Sequence, residues 1–161
     1  MTTQPETATT IRRAGTADDL AAAARLLVDF NREFGEPAPE PDELAAHLAD
    51  LLAAGDTDVL LIGTPAVGVA VLRARVSTWS ATVEVDLDEF YVVPGVRGRG
   101  LGSALLAGVL DRARERGATF IGLSTSEDDT AARRVYEKHG FACHEGAAAG
   151  PMALYYQRDL D

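Results

Sequence analysis

The stretch Val92-Val-Pro-Gly-Val-Arg97-Gly-Arg-Gly-Leu-Gly-Ser103 lies between an alternating apolar segment and a helical one, and its reading decides the fold. Gly98, Gly100 and Gly102 let the backbone turn sharply and approach a ligand with no side chain in the way. The N–H groups that open the following helix at Leu101 and Ser103, with the positive end of its dipole, would receive a phosphate or pyrophosphate. Arg97 and Arg99 add charge-assisted donors. A tight turn without a ligand is the plain alternative. The stretch does not end in Gly-Lys-Ser/Thr, so it is no nucleotide-hydrolysing P-loop. Its glycines are spaced G-x-G-x-G rather than G-x-G-x-x-G, and the strand before it is expected to run antiparallel. Both points argue against a nicotinamide enzyme.

Working outward, residues 82–93 alternate, which places Val83, Val85, Leu87, Glu89, Tyr91 and Val93 on one face. Glu89 is the charged exception. Residues 101–116 read as a helix with Leu105, Leu106, Val109, Leu110 and Ala113 inward and Gly117 as its stop. Farther upstream the pattern predicts a strand over 9–14 and helices over 18–34 and 41–54, joined by a proline-rich link. Strands over 59–62 and 67–76 follow, around a hairpin turn. Downstream it predicts a strand over 120–124, a helix over 129–139 and a last strand over 153–158. This order means an α/β fold: a single-domain mixed β-sheet flanked by helices on both faces. Residues 1–8 are expected to be a flexible tail and residues 9–161 the domain.

The 161-residue chain carries 15 Lys+Arg against 25 Asp+Glu, a net charge of −10 that suits no grip on nucleic acid phosphates. Residues 1–95 hold 6 basic and 16 acidic side chains, whereas residues 96–161 hold 9 of each. The excess charge is either a solvated acidic surface or one side suited to a cation beside another that tolerates an anion. Cys143 is the lone cysteine and cannot form an internal disulfide, and the scattered histidines make no metal-ligand cluster. No apolar run approaches a membrane span, and the N-terminus lacks a signal peptide's pattern. A soluble, cytoplasmic protein without nucleic acid, membrane or metal partners is expected.

Two motifs together resemble the GCN5-related N-acetyltransferases. That family writes its phosphate loop Arg/Gln-x-x-Gly-x-Gly/Ala after a strand ending in Val-x-Pro. Arg97-Gly98-Arg99-Gly100-Leu101-Gly102 fits it after Val92-Val93-Pro94. A second family segment has Ala, then Tyr, then Gly-Phe, and here it is Ala131-Ala-Arg-Arg-Val-Tyr136-Glu-Lys-His-Gly140-Phe141. The resemblance spans residues 89–141. It implies acetyl-CoA as co-substrate, with direct transfer to an amine. The backbone of Val92 and Val93 would pair with the pantetheine arm, and residues 97–103 would hold the pyrophosphate. Asp128 stands where many members place an Asn that touches the pantetheine, and Asp can accept such a bond but not donate it.

Transfer makes three demands. The acceptor amine must lose a proton, the oxyanion needs donors, and the departing thiolate benefits from a proton. The resemblance places the oxyanion donor in backbone N–H near Val93 and the proton donor at Tyr136, whose plain role would be packing beside Ala132, Val135 and His139. Glu89, a carboxylate on an apolar strand face, is the candidate base, with an ion pair to an arginine as its plain alternative. Ser124 stands where some members carry the base. His139 and His144 read as packing or exposed residues.

The expected enzyme therefore acetylates a primary amine of a small cationic molecule. A protein N-terminus is an alternative acceptor, and a CoA-binding sensor without transfer is the alternative from another class. A homodimer would arise if residues 153–158 paired across two copies as an edge strand.

Overall fold

The computed structural model describes residues 9–146 and 150–160, so the expected tail over residues 1–8 lies outside the described residues. The chain forms two compact units, one ending at Leu123 and the other beginning at Ser124.

The first unit runs β1 (Ile11–Arg13), α1 (Ala17–Glu33), α2 (Pro41–Ala54), β2 (Thr57–Ile62), β3 (Gly68–Val76), β4 (Val83–Val92), α3 (Leu101–Glu115) and β5 (Ala118–Leu123). The strands form one sheet in the order β1-β2-β3-β4-β5. All neighbours are antiparallel except β4 and β5, which are parallel. This is the mixed sheet that the pattern predicts.

Local chemistry sets the helix ends. Thr16 caps α1 by accepting from the Asp19 N–H, and Asp19 reaches back to the Thr16 N–H. Pro41 opens α2 and left-handed Gly55, at φ +89°, closes it. Leu27, Leu48, Val59, Leu61, Val69, Val71 and Tyr91 bury together, which puts α1 and α2 on one face of the sheet. The alternate residues Leu60, Ile62, Ala70, Leu72, Val85 and Leu87 are buried on the other face, where α3 packs with Leu105, Leu106 and Val109. On that same face, buried Asp58 of β2 gathers Arg13, Arg112 and Arg116, joining β1 and the end of α3 to the sheet.

The uniform alternation expected of β4 does not hold. Leu72 faces Leu87, but its neighbour Val71 faces Glu89, so Asp88 is an extra residue, a β-bulge. One extra residue reverses which face each side chain takes. Val85 and Leu87 therefore face α3, whereas Glu89 and Tyr91 face α1 and α2.

In the second unit, α4 (Thr130–Lys138) is capped by Asp129, whose carboxylate accepts from the Ala132 N–H at 3.0 Å. Tyr136 is its buried residue. The strand expected over residues 153–158 is absent among the described residues: one isolated bridge joins His144 and Met152, and Leu154, Tyr155 and Tyr156 are exposed. A run of apolar and aromatic residues does not make a strand without a partner to hydrogen-bond.

Candidate functional site

The glycine stretch is a single 3₁₀ turn, Pro94–Val96, followed by a loop into α3. Gly98 and Gly100 adopt φ of +75° and +81°, a region that side chains rarely tolerate. Gly102 differs. It lies within α3, and a Cβ there would meet no atom within 4 Å, so the protein leaves open space above it. No side chain caps α3 at Gly100, so the dipole end and the first N–H groups meet that space. These features fit a cradle for an anionic group.

Where β4 meets β5, the pairing stops at Leu87 with Leu123, and residues 88–92 continue without a β5 partner. The Val93 N–H donates to Val67 O at 2.9 Å, so it is committed to the residue just before β3. Val92, opposite Gly68, turns its own N–H and C=O away from β3. Its carbonyl accepts from Arg97 Nε at 2.8 Å, which leaves the Val92 N–H directed into the gap.

Arg97 does not extend along the loop. Its two terminal nitrogens each donate to Glu33 at the end of α1, both at 2.8 Å, and its guanidinium lies 5.5 Å from the Tyr91 ring centre. The arginine holds the Glu33 carboxyl below its ordinary range, against a smaller opposing effect of burial. Burial pushes the Tyr91 hydroxyl up, and its hydrogen bond to Glu33 adds to that. Tyr91 in turn stacks on Phe30 of α1, with centroids 5.2 Å apart. Arg99 is exposed.

Below α1 and α2, on the β3–β4 face, lies a cavity of about 210 Å³. Leu44, Leu48 and Leu51 give it an apolar wall, and Arg73, Asp88 and Glu89, with Asn31 and His47, its polar lining. Burial pushes Glu89 above the usual carboxylate range, and the Asp88 charge adds to the rise. Asp88 is raised as well, by desolvation and then by Asp86, with Arg73 opposing. Glu89 has no ion-pair partner among the described residues, unlike the arginine pairing that was its plain alternative. Two carboxyls that hold protons more tightly than usual are thus neighbours on one cavity wall, placed there by the bulge.

In the second unit, burial pushes the Tyr136 hydroxyl up to about 12, with the Asp129 charge a smaller cause. Its ring lies edge-on to Phe141, 5.9 Å between centroids. Asp128, the expected pantetheine contact, is exposed, and its neighbour Asp129 caps the helix. Ser124 is exposed, His139 Nδ1 pairs with Val135 O at 2.9 Å, His144 Nδ1 pairs with Gly150 O at 3.0 Å, and Cys143 is exposed.

Sequence reasoning missed Asp88, Arg73 and Glu33. Asp88 carried one usable signal, its place in an acidic run beside Glu89. Arg73 and Glu33 carried none, because each meets the site through residues distant in the chain.

The model of the Acetyltransferase (GNAT) family matches residues 21–141. An uncharacterized N-acetyltransferase of Bacillus subtilis (strain 168) is 31% identical over 133 residues, which is 81% of this chain and 88% of that protein. A solved structure from Arthrobacter sp. FB24, of a protein assigned as an acetyltransferase, is 48% identical with a TM-score of 0.83, covering 94% of this chain and 96% of that one. An aminoglycoside acetyltransferase from an uncultured soil metagenomic sample, solved with sisomicin, shares the fold at a TM-score of 0.74 but only 16% identity, with 94% and 96% covered.

Proposed function

The chain belongs to the GNAT acetyltransferase family, and from that premise we propose that it transfers an acetyl group from acetyl-CoA directly to a primary amine that arrives as a cation. The parting of β4 from β5 beyond Leu87, leading straight into an uncapped helix, carries this reading. The cofactor's fit rests on that opening and on the empty space above Gly102. The first N–H groups of α3 would hold the pyrophosphate, with exposed Arg99 as a counter-charge and Arg97 ordering the loop. Bound acetyl-CoA supplies a thioester for the amine to attack.

The chain's own groups then divide the work. Asp88 and Glu89 attract the ammonium, and Glu89, its proton affinity raised by burial, takes the proton directly or through water. The Val92 N–H faces the gap and donates to the oxygen on which negative charge develops, a role moved one residue from Val93 because Val93 is bonded to Val67. Tyr136 remains protonated across the working pH range and supplies a proton to the leaving sulfur.

Thiol release from acetyl-CoA with a panel of primary amines tests the proposal. Amine-dependent release is expected. CoA binding without release for any amine, including an N-terminal peptide, would establish the sensor reading instead.

A further inference from the structure

The cavity wall that holds the two carboxyls also holds a cation. Arg73 lines the same space as Asp88 and Glu89, and its positive charge acts on Asp88. Its Nε is buried without a hydrogen-bond partner, and its ion pair to Asp56 is long, 3.7 Å. Arg75, two residues along the same strand face, is by contrast tied to Glu84 at 2.6 Å and Asp86 at 3.5 Å. A desolvated guanidinium donor left unmatched is costly, and a carboxylate is the group whose geometry fits an arginine edge. Opposite stand Leu44, Leu48 and Leu51, an apolar patch on the helix that also brings His47 to the lining.

From this juxtaposition we infer that the acceptor is an amino acid: an amine whose neighbouring carbon bears a carboxylate, with an apolar side chain. Asp88 and Glu89 receive the ammonium, Arg73 receives the carboxylate, and the leucines receive the side chain. The two opposite charges of such a molecule match two opposite charges on one wall, whereas a polyamine would place a second cation against Arg73. The size also fits, since a cavity of about 210 Å³ is below the span usual for drug-sized ligands. The inference rests on the reading of this cavity as the acceptor site.

The test uses three matched probes, L-leucine, L-leucinamide and 3-methylbutylamine, which share an amine and a side chain. Binding is measured by calorimetry on the whole protein with CoA present, and turnover by thiol release. L-Leucine is expected to bind at least tenfold more tightly than 3-methylbutylamine, with L-leucinamide between them. Arg73→Gln should remove that advantage and leave the affinity for 3-methylbutylamine within twofold, and Arg73→Lys should restore part of it. Equal or weaker binding of L-leucine, no binding of any probe, or an equal loss for all three in Arg73→Gln, would overturn the inference. The wild-type comparison decides even if a variant fails to fold. Absence of thiol release with intact, carboxylate-selective binding would overturn the transferase reading alone.

Discussion

Glu33 and Arg97 are joined by two parallel hydrogen bonds of 2.8 Å, which tie the end of α1 to the first residue of the glycine loop. The same guanidinium also holds the Val92 carbonyl, so one side chain fixes the helix end, the strand end and the loop. The glycine-loop pattern points this arginine at a phosphate, and in this structure its fork is filled by a carboxylate.

Glu33→Gln keeps the shape of that contact and removes its charge. The loop then loses part of its anchor. Since partly exposed pairs contribute up to about 1 kcal/mol, the dissociation constant for CoA should rise by no more than about fivefold. Calorimetric titration with CoA measures it. Tighter binding would mean that Glu33 had been competing with the phosphates for Arg97.

Gly102 offers a cleaner test of the cradle than Gly98 or Gly100, whose positive φ would add strain. Gly102→Val adds bulk where, beyond the helix's own nearby backbone, no described atom stands within 4 Å of the new Cβ, and Val is no poorer a helix residue than Gly. The free protein should keep its melting temperature. CoA at 100 times its wild-type dissociation constant, which should stabilise the parent by about 2.7 kcal/mol, should no longer do so. A retained thermal shift would place the phosphates elsewhere.

Tyr136→Phe removes a buried hydroxyl while keeping the ring against Phe141. Turnover should fall by a factor on the order of 10²–10⁴ with CoA affinity unchanged. Because the hydroxyl is pushed up to about 12, the wild-type kcat profile should show no decline from its ionisation below about pH 10. Near-normal turnover in the variant would leave Tyr136 as a packing residue.

Glu89 accepts a proton only where it is ionised, and its ionisation lies above the usual carboxylate range. Wild-type kcat/KM should therefore rise with pH through that raised value. Glu89→Gln should lose most activity near neutral pH and recover where the amine deprotonates unaided. Asp88→Asn removes the like charge that helps raise Glu89, so it should move the rising limb to lower pH. Parallel profiles for Glu89→Gln and the parent would remove Glu89 from the proton path.

Burial pushes the Asp58 carboxyl up, but Arg116 and Arg112 overcome it and hold the group below its ordinary value. The resulting stability is present above the ordinary carboxyl pKa and lost as pH falls through the depressed one. Asp58→Asn should cost about 3 kcal/mol at pH 7, roughly 6–12 °C in Tm, by leaving the guanidiniums without their carboxylate. Its melting curves should also lose much of the parent's decline below about pH 4. An unchanged Tm at pH 7 would show the cluster to be dispensable.

The elements that sequence alone determined are those whose causes are local. The span of α2, the glycine turn and the inward stripe of α4 follow from caps, left-handed glycines and helical spacing within a few residues. The two motifs that identify the family are contiguous for the same reason. Tertiary structure decided what depends on pairing between distant segments. Residues 153–158 open on the apolar and aromatic run Ala153-Leu-Tyr-Tyr156 that suits a strand, yet among the described residues no neighbouring strand pairs with them. Glu89 looked continuous with Val83–Leu87 until β3 fixed the register and left Asp88 as the extra residue. Arg97 looked free for a phosphate until α1 brought Glu33, 64 positions away, within 2.8 Å. Side-chain type is written in the chain, but which face a residue takes and which charge it meets depend on hydrogen-bond register and packing, and these form only when remote segments come together.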